Sequence, residues 1–146
     1  METALDLLRM KGERPLFVTS PAMTVLEATK MMNDERIGAL LVMHDGRLVG
    51  MFTERDVLQR VVGELRSPAF TPVRDVMTEH VVCCSLGTAV EEVSDLMRRR
   101  RIRHVPVVDG DGSVVGLVSI GDVNACRVTS CEVALHQVED YIYRRA

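Results

Sequence analysis

The sequence contains two copies of one pattern, and this duplication constrains the fold more than any other feature. The copies are 65 residues apart before a glycine-containing turn and 66 apart after it, so the second turn carries one inserted residue. A shared core would explain the apolar matches, but not a glycine followed three residues later by a hydroxyl and six later by an aspartate. The matching pairs are Val25/Val90, Met32/Met97, Ile37/Ile102, Val42/Val107, Gly46/Gly112, Gly50/Gly116, Thr53/Ser119 and Asp56/Asp122.

The first copy is predicted to begin with a strand, a helix and a hairpin. Residues 16–19 are predicted to be extended, and Thr24 with Glu27 three residues later has the spacing of a capping box at a helix start. Gly38 is expected to end that helix. Asp45-Gly46 between two apolar runs indicates a two-residue β-hairpin. The predicted hairpin strands are 39–43 and 48–52.

A helix over 54–62 follows the first hairpin, and the same order then repeats. Thr53 is placed to cap this helix. Its expected apolar face consists of Val57, Leu58, Val61 and Val62. Each copy therefore has the order β-α-β-β-α, which predicts an α/β (α+β) fold class. In the second copy the signals are a strand at 81–84, a capping box at Thr88 and Glu91, and hairpin strands at 105–108 and 114–118.

Helical spacing is also present at both ends of the chain. Residues 2–11, with Ala4, Leu5 and Leu8 on one face, predict a short N-terminal helix. After Asp122 a long C-terminal helix is predicted, whose apolar seam favours packing on another helix, within the subunit or across a dimer. That seam is Val128, Cys131, Leu135, Val138 and Ile142. The expected division is an N-terminal helical segment 1–13, repeat 1 at 14–66, a linker 67–73, repeat 2 at 74–130 and the C-terminal helix 131–146.

The repeated Gly-x-x-Thr/Ser-x-x-Asp pattern suits a ribonucleotide at a strand-to-helix junction. The glycine allows a ligand or a neighbouring backbone to approach closely. The hydroxyl and the first N–H groups of the helix can hold a phosphate, helped by the helix dipole. The aspartate can accept hydrogen bonds from both ribose hydroxyls, and it would repel a 2′-phosphate. We therefore expect ligands of the AMP or NAD type in preference to NADP.

The two copies distribute their cations differently. Repeat 1 has Arg55 beside its aspartate, whereas repeat 2 has Gly121 there and carries Arg103 and His104 on the first hairpin strand. Guanidinium groups bind phosphate oxygens well. The clefts are therefore predicted to be unequal, with the Arg103–Asp122 cleft the better-defined site.

These motifs resemble a known family. The duplicated pattern, with Gly-Met-Phe-Thr-Glu-Arg-Asp at 50–56 and Gly-Leu-Val-Ser-Ile-Gly-Asp at 116–122, is similar to a tandem pair of cystathionine β-synthase (CBS) domains, a Bateman module. The segment Arg103–Val108 is typical of the family's second strand, and residues 137–142 resemble the tail of bacterial stand-alone members. The resemblance covers residues 14–130. It implies two repeats packed about a pseudo-twofold axis, two adenosine clefts and a homodimer.

The resemblance also implies a role for each candidate residue. Thr53 and Asp56 would serve phosphate and ribose in one cleft, and Ser119 and Asp122 in the other. Phosphate contacts would come from Arg55, Arg103 and His104. The residues expected to line the base are Thr19, Gly38, Ala39, Cys83, Val105 and Pro106. Repeat 1 departs from the pattern, with Leu41 in place of Pro106 and Gly38-Ala39 in place of Arg103-His104, so its cleft is expected to be wider, less cationic or empty.

The implied function is a cytoplasmic regulatory sensor of AMP, ATP, NAD or S-adenosylmethionine, with no catalytic cofactor, no metal, no turnover and an unknown regulated protein partner. The alternatives are a structural dimerisation or partner-binding module with degenerate clefts and, less favoured, a nucleotide-processing enzyme.

Composition excludes other classes. The net charge of −3 and the 3% aromatic content argue against nucleic acid, and the Arg98–Arg101 run is interpreted as a solvated helix end. There is neither an apolar run of membrane-spanning length nor a signal-like N-terminus, which predicts a cytoplasmic location. The four cysteines lack metal or disulfide spacing and are expected to be reduced thiols.

Overall fold

The computed structural model describes residues 1–145, with side chains described for residues 1–144. Two compact units are formed: one contains Pro15–Cys83, and the other joins Met1–Arg14 to the chain from Cys84 onward. The helices are α1 (Ala4–Lys11), α2 (Val25–Glu35), α3 (Glu54–Asp56, continued by a π-helical segment Val57–Val62), α4 (Val90–Arg100) and α5 (Ile120–Arg145). The strands are β1 (Val18–Thr19), β2 (Ala39–His44), β3 (Arg47–Thr53), β4 (Cys84–Ser85), β5 (His104–Val108) and β6 (Val114–Ser119).

Each unit contains one three-stranded sheet, ordered β1-β2-β3 in the first and β4-β5-β6 in the second. In both sheets the first pair is parallel and the second pair is an antiparallel hairpin. The predicted turn at Asp45-Gly46 is confirmed, because both residues have the left-handed φ angles, 50° and 75°, that a two-residue hairpin turn requires. The predicted α+β order, with a short first helix and a long last one, is thus confirmed.

The predicted end of α2 at Gly38 is wrong. The helix ends at Glu35, and its C-cap is Arg36, which adopts φ 55° and donates its N–H to the carbonyls of Asn33 and Met32. Arg101 ends α4 in the same way with φ 53°. An arginine in the left-handed conformation therefore takes the place of the usual glycine in both copies. Gly38 instead serves the next junction, where its carbonyl accepts a hydrogen bond from the N–H of Glu54 at 3.1 Å.

The predicted apolar face of α3 is only partly correct. Val61 is buried and Val57 is half-buried, but Leu58 and Val62 are 67% and 60% exposed. The helix widens into a π-helical turn, in which the N–H of Gly63 reaches the carbonyl of Leu58 five residues back at 3.0 Å. This wider turn rotates the side chains away from the 3.6-residue spacing assumed from the sequence.

The start of α4 also differs from the prediction. The N-cap is Ala89, and the hydroxyl of Thr88 accepts a hydrogen bond from the N–H of Ser85 at 3.0 Å, so the expected Thr88/Glu91 capping box is wrong. The N-terminal segment instead supplies a hydrogen-bond acceptor to this helix start, because the N–H of Val90 donates to the carbonyl of Glu2 at 3.0 Å. The preceding strand is also shorter than the predicted 81–84, since β4 begins at Cys84.

Each repeat is completed by a chain segment that lies outside its own pattern. In the first unit, residues 67–73, expected as a linker, supply carbonyls to the start of α2: the N–H of Val25 donates to Thr71 at 2.9 Å. In the second unit, α1 packs on the hairpin through Leu8, which lies against Gly116. The buried side chains of α1 are Ala4 and Leu7, whereas Leu5 is half-buried.

The last helix, α5, is continuous from Ile120, so the expected boundary at residue 131 lies within it. Its first two turns bury Val123 and Cys126, whereas the predicted seam from Val128 onward is exposed. The four cysteines are free thiols. Within residues 1–145, no helix has both the length and the apolar character needed to cross a bilayer.

We expect Gly50→Ala to lower the free energy of unfolding by about 1–3 kcal/mol, because the new methyl group would overpack the structure. A Cβ at this position would lie 2.6 Å from Sδ of Met77 and 2.9 Å from the carbonyl oxygen of Thr78. Urea denaturation measures the effect. Gly110→Ala is the matched control, since a Cβ there meets no atom within 4 Å. Equal stability changes in the two variants would contradict this packing.

Candidate functional site

In the second unit, the hairpin brings an arginine and a histidine next to the start of α5. His104 pairs with Ser119 across the hairpin, and the N–H of Ile120 donates to the carbonyl of Arg103 at 2.9 Å. Arg103 is exposed and His104 half-buried. The structure thus brings together Arg103, His104, Ser119 and the first turn of α5. This arrangement offers positive charge, a hydroxyl and helix N–H groups to an anionic ligand.

Asp122 is held at this junction by two hydrogen bonds that end on the same oxygen. Its Oδ2 accepts from the N–H of Ser119 at 2.8 Å and from Nζ of Lys11 at 3.0 Å. Nζ of Lys11 also donates to the carbonyl of Leu117 at 2.8 Å. Sequence reasoning missed Lys11, because nothing in the local spacing links residues 111 positions apart.

The first unit repeats this junction with a more deeply buried aspartate. Ala39 pairs with Thr53, and Oδ2 of Asp56 accepts from the N–H of Thr53 at 2.9 Å and from its hydroxyl at 3.2 Å. Asp56 is only 5% exposed. Nε of Arg60 lies 3.7 Å from its Oδ1, and Nη1 of Arg60 donates to the carbonyl of Met77 at 2.8 Å.

Burial raises the pKa of Asp56 above the ordinary value of 3.8, although its hydrogen bonds with Thr53 and the charge of Arg60 act in the opposite direction. Desolvation of the carboxylate is the larger effect. Ionisation of this carboxyl therefore costs more free energy in the folded protein than in the unfolded chain.

A third capping box starts α1, where no hairpin precedes the helix. Oδ2 of Asp6 accepts from the N–H of Thr3 at 2.8 Å and from its hydroxyl at 3.1 Å. Here the hydrogen bonds to Thr3 lower the pKa of Asp6. The Thr/Ser-x-x-Asp spacing is therefore a helix-start device in its own right. The added feature at the two candidate sites is the hairpin strand beside the helix.

Thr19 lies at the end of β1, paired with Val42, and is 5% exposed. Its hydroxyl oxygen is buried and makes no hydrogen bond with any residue of the described part of the chain; the hydroxyl of Thr29 shares this condition. An unsatisfied buried hydroxyl costs about 1–3 kcal/mol. Thr19 thus retains an unused polar group at one of the positions expected to line a base.

The other candidate residues occupy different settings. Arg55 is exposed next to buried Asp56 in the first unit. Val105 and Pro106 are buried on β5, and Val105 belongs to the core of the second unit. Cys83 is half-buried at the end of the first unit, and burial raises the pKa of its thiol. Among residues 1–144, no group of three or more His, Cys, Asp or Glu side chains could hold a metal ion.

Two copies of a β-α-β-β-α unit, each with a capped strand-to-helix junction, define a duplicated α+β protein. The CBS-domain family model matches residues 12–63 and 73–126, and the chain belongs to this family.

Known relatives match most of the chain. A mitochondrial CBS domain-containing protein of Arabidopsis thaliana, CBSX3, is 36% identical over 149 residues, which covers 96% of this chain and 71% of the relative. The crystal structure of a CBS-domain protein from Agrobacterium tumefaciens is 35% identical, with a TM-score of 0.81, and covers 86% of this chain and 99% of that one. A CBS-domain protein from Pyrobaculum aerophilum complexed with AMP is 27% identical, with a TM-score of 0.73, and covers 83% and 89%.

We expect the stability of the wild type, relative to Asp56→Asn, to fall as the pH rises from about 3 to about 7. Because the folded-state pKa of Asp56 is raised, the folded protein keeps a proton that the unfolded chain has already released in this range. Urea denaturation at a series of pH values measures the difference.

Asp6→Asn is the matched control. The pKa of Asp6 is lowered by its hydrogen bonds, so its contribution is present above the unfolded-state pKa and is lost as the pH falls through the folded-state value. The two variants should therefore show opposite pH trends. The same trend in both would mean that burial does not dominate at Asp56.

Proposed function

We propose that this protein is a regulatory module that binds an adenine nucleotide of the AMP, ATP or NAD class and catalyses no reaction of its own. The observation that most supports nucleotide binding is the junction at which the capping box of Asp122 lies beside Arg103 and His104. The AMP complex of the Pyrobaculum aerophilum relative supports an adenosine ligand. The regulated partner would read whether the nucleotide is bound.

In the second unit we assign ribose to Asp122 and phosphate to Ser119, Arg103 and His104. The carboxylate has one oxygen engaged by Ser119 and Lys11, which leaves Oδ1 as the atom assigned to the ribose hydroxyls. Val105 and Pro106 are assigned to the apolar wall against the base, and Cys83, which directly precedes β4 in sequence, is assigned to the base as well. The side chain of Asp122 is 20% exposed, so a ligand can reach it.

In the first unit the assigned contacts are Thr53, Asp56 and Arg55 for ribose and phosphate. Thr19, Gly38 and Ala39 are assigned to the base, and the unsatisfied hydroxyl of Thr19 supports its place in this set. Asp56 is more buried than Asp122, and Gly38-Ala39 supplies no cation where repeat 2 has Arg103-His104. We therefore propose that this site is the weaker of the two.

We expect AMP to bind with saturation, and Asp122→Asn to weaken this binding by about tenfold or more. The amide removes a charged acceptor for the ribose hydroxyls, and hydrogen bonds to charged groups contribute about 1.5–3 kcal/mol. Isothermal titration calorimetry with AMP, ATP, NAD, NADP and S-adenosylmethionine measures the affinities. NADP should bind more weakly than NAD, because its 2′-phosphate replaces a ribose hydroxyl that would donate a hydrogen bond to the carboxylate.

Asp6→Asn is the control, since it alters the same kind of capping box in the same unit without touching the assigned site. Its AMP affinity should stay within about twofold of wild type. The proposal fails if none of the five ligands produces binding heat. Release of a product on prolonged incubation would instead contradict the absence of catalysis.

A second candidate function is dimerisation or partner binding, and the exposed seam of α5 favours it. Leu135, Val138 and Ile142 are all more than half exposed, and they recur at alternating steps of three and four residues. Such a stripe is typical of helices that pair with another helix. In proteins most helical stability comes from packing of an apolar face, and in the single chain this face of α5 is exposed. We propose that two copies of the chain pair through this seam, with or without nucleotide.

We expect Leu135→Glu to convert a dimeric protein into a monomer, because it would bury two carboxylates against each other at the paired seam. Static light scattering behind gel filtration measures the mass. The control is Val133→Glu, which introduces the same charge on the same helix but lies away from the seam and is also exposed in the single chain. A wild-type protein that is monomeric at every concentration would rule this interface out.

A further inference from the structure

Lys11 reaches the proposed nucleotide site of the second unit from another part of the sequence. It is the last residue of α1, and its ammonium lies 3.0 Å from Oδ2 of Asp122 and 2.8 Å from the carbonyl oxygen of Leu117. Both charged side chains are only 20% exposed. Partial burial means that salt screens this pair less than it screens a fully solvated surface pair.

The helix that carries Lys11 is fixed in position. The N–H of Ala4 donates to the carbonyl of Thr88 at 2.8 Å, Leu7 is buried, and Leu8 packs on Gly116 of the same hairpin. Gly12, with φ 76°, then turns the chain away directly after Lys11. The ammonium is thus presented by a packed helix end and not by a mobile side chain on a loop.

The two repeats neutralise their aspartates in different ways. In repeat 1 the cation is Arg60, four residues after Asp56 on the same helix, with its Nε 3.7 Å from Oδ1. The matching position in repeat 2 is Cys126, a buried thiol that donates to Glu2 and carries no positive charge. Lys11 supplies from α1 the positive charge that is absent from this position of α5.

We propose that Lys11 is a positioning residue that sets the charge preference of the second site. By neutralising Asp122 and fixing its Oδ2, it allows a phosphorylated nucleotide to bind beside a carboxylate. Without it, the negative charge of Asp122 would repel the phosphate of AMP, while uncharged adenosine would be little affected. The inference rests on the proposed nucleotide-binding function.

The test compares AMP with adenosine in calorimetric titrations, with adenosine also measured by competition against AMP. Lys11→Met should weaken AMP binding by about tenfold and change adenosine binding by less than about twofold. Lys11→Arg should keep AMP affinity within about threefold of wild type. Arg9→Met is the matched control: it removes one positive charge from the same last turn of α1, and it should leave both affinities unchanged. If Lys11→Met does not fold, Lys11→Gln takes its place.

Three results would overturn the proposal. Unchanged AMP affinity in Lys11→Met would mean that Lys11 does not act on the site. Equal weakening of AMP and adenosine would assign it a purely structural role. Wild-type protein that binds neither ligand would refute the nucleotide-binding function itself, a result that differs visibly from a change confined to the variant.

Discussion

The structure depends on one hydrogen bond made twice, from the last N–H of a hairpin to an aspartate in the first turn of the next helix. Ser119 donates to Asp122 at 2.8 Å and Thr53 donates to Asp56 at 2.9 Å. The bond fixes the direction in which the helix leaves the sheet. It therefore places the helix N-terminus next to the start of the neighbouring strand. The candidate ligand groups lie together there because the first hairpin strand and the start of the helix meet at this junction.

Local features were predictable from the sequence because local chemistry determines them. Asp45-Gly46 allows two successive left-handed residues, and the helical stripes Val25/Met32 and Val90/Met97 are buried as their spacing predicts. The sequence-based predictions were wrong where more than one residue could end the same helix. Arg36 can cap α2 in the left-handed conformation, so no glycine is needed there. Gly38 instead lies close to the start of α3, where a Cβ would lie 3.3 Å from the Glu54 carboxyl.

Long-range packing was not predictable, and it changes the interpretation of the repeated glycine. Gly50 and Gly116 were expected to admit a ligand or a backbone. In the structure the space next to Gly50 is filled by Met77 and Thr78, and that next to Gly116 by Leu8. Met77 and Thr78 lie outside repeat 1, and Leu8 lies outside repeat 2, so no spacing rule within either repeat identifies these neighbours. The glycine thus completes the fold, and the charged end of the hairpin is left for a ligand.

The same distinction explains how two similar sites can diverge. The aspartate is needed in both copies because it caps the start of the helix. The cation that neutralises the aspartate can come from any element that lies close to it. Arg60 fills this role from within repeat 1, and Lys11 fills it in repeat 2 from a helix more than 100 residues away in sequence. A substitution in α1 can therefore alter the charge of the second site and leave the first unit's Asp56–Arg60 pair unchanged. Duplication fixes the geometry of both sites, and the flanking segments set the electrostatics of each.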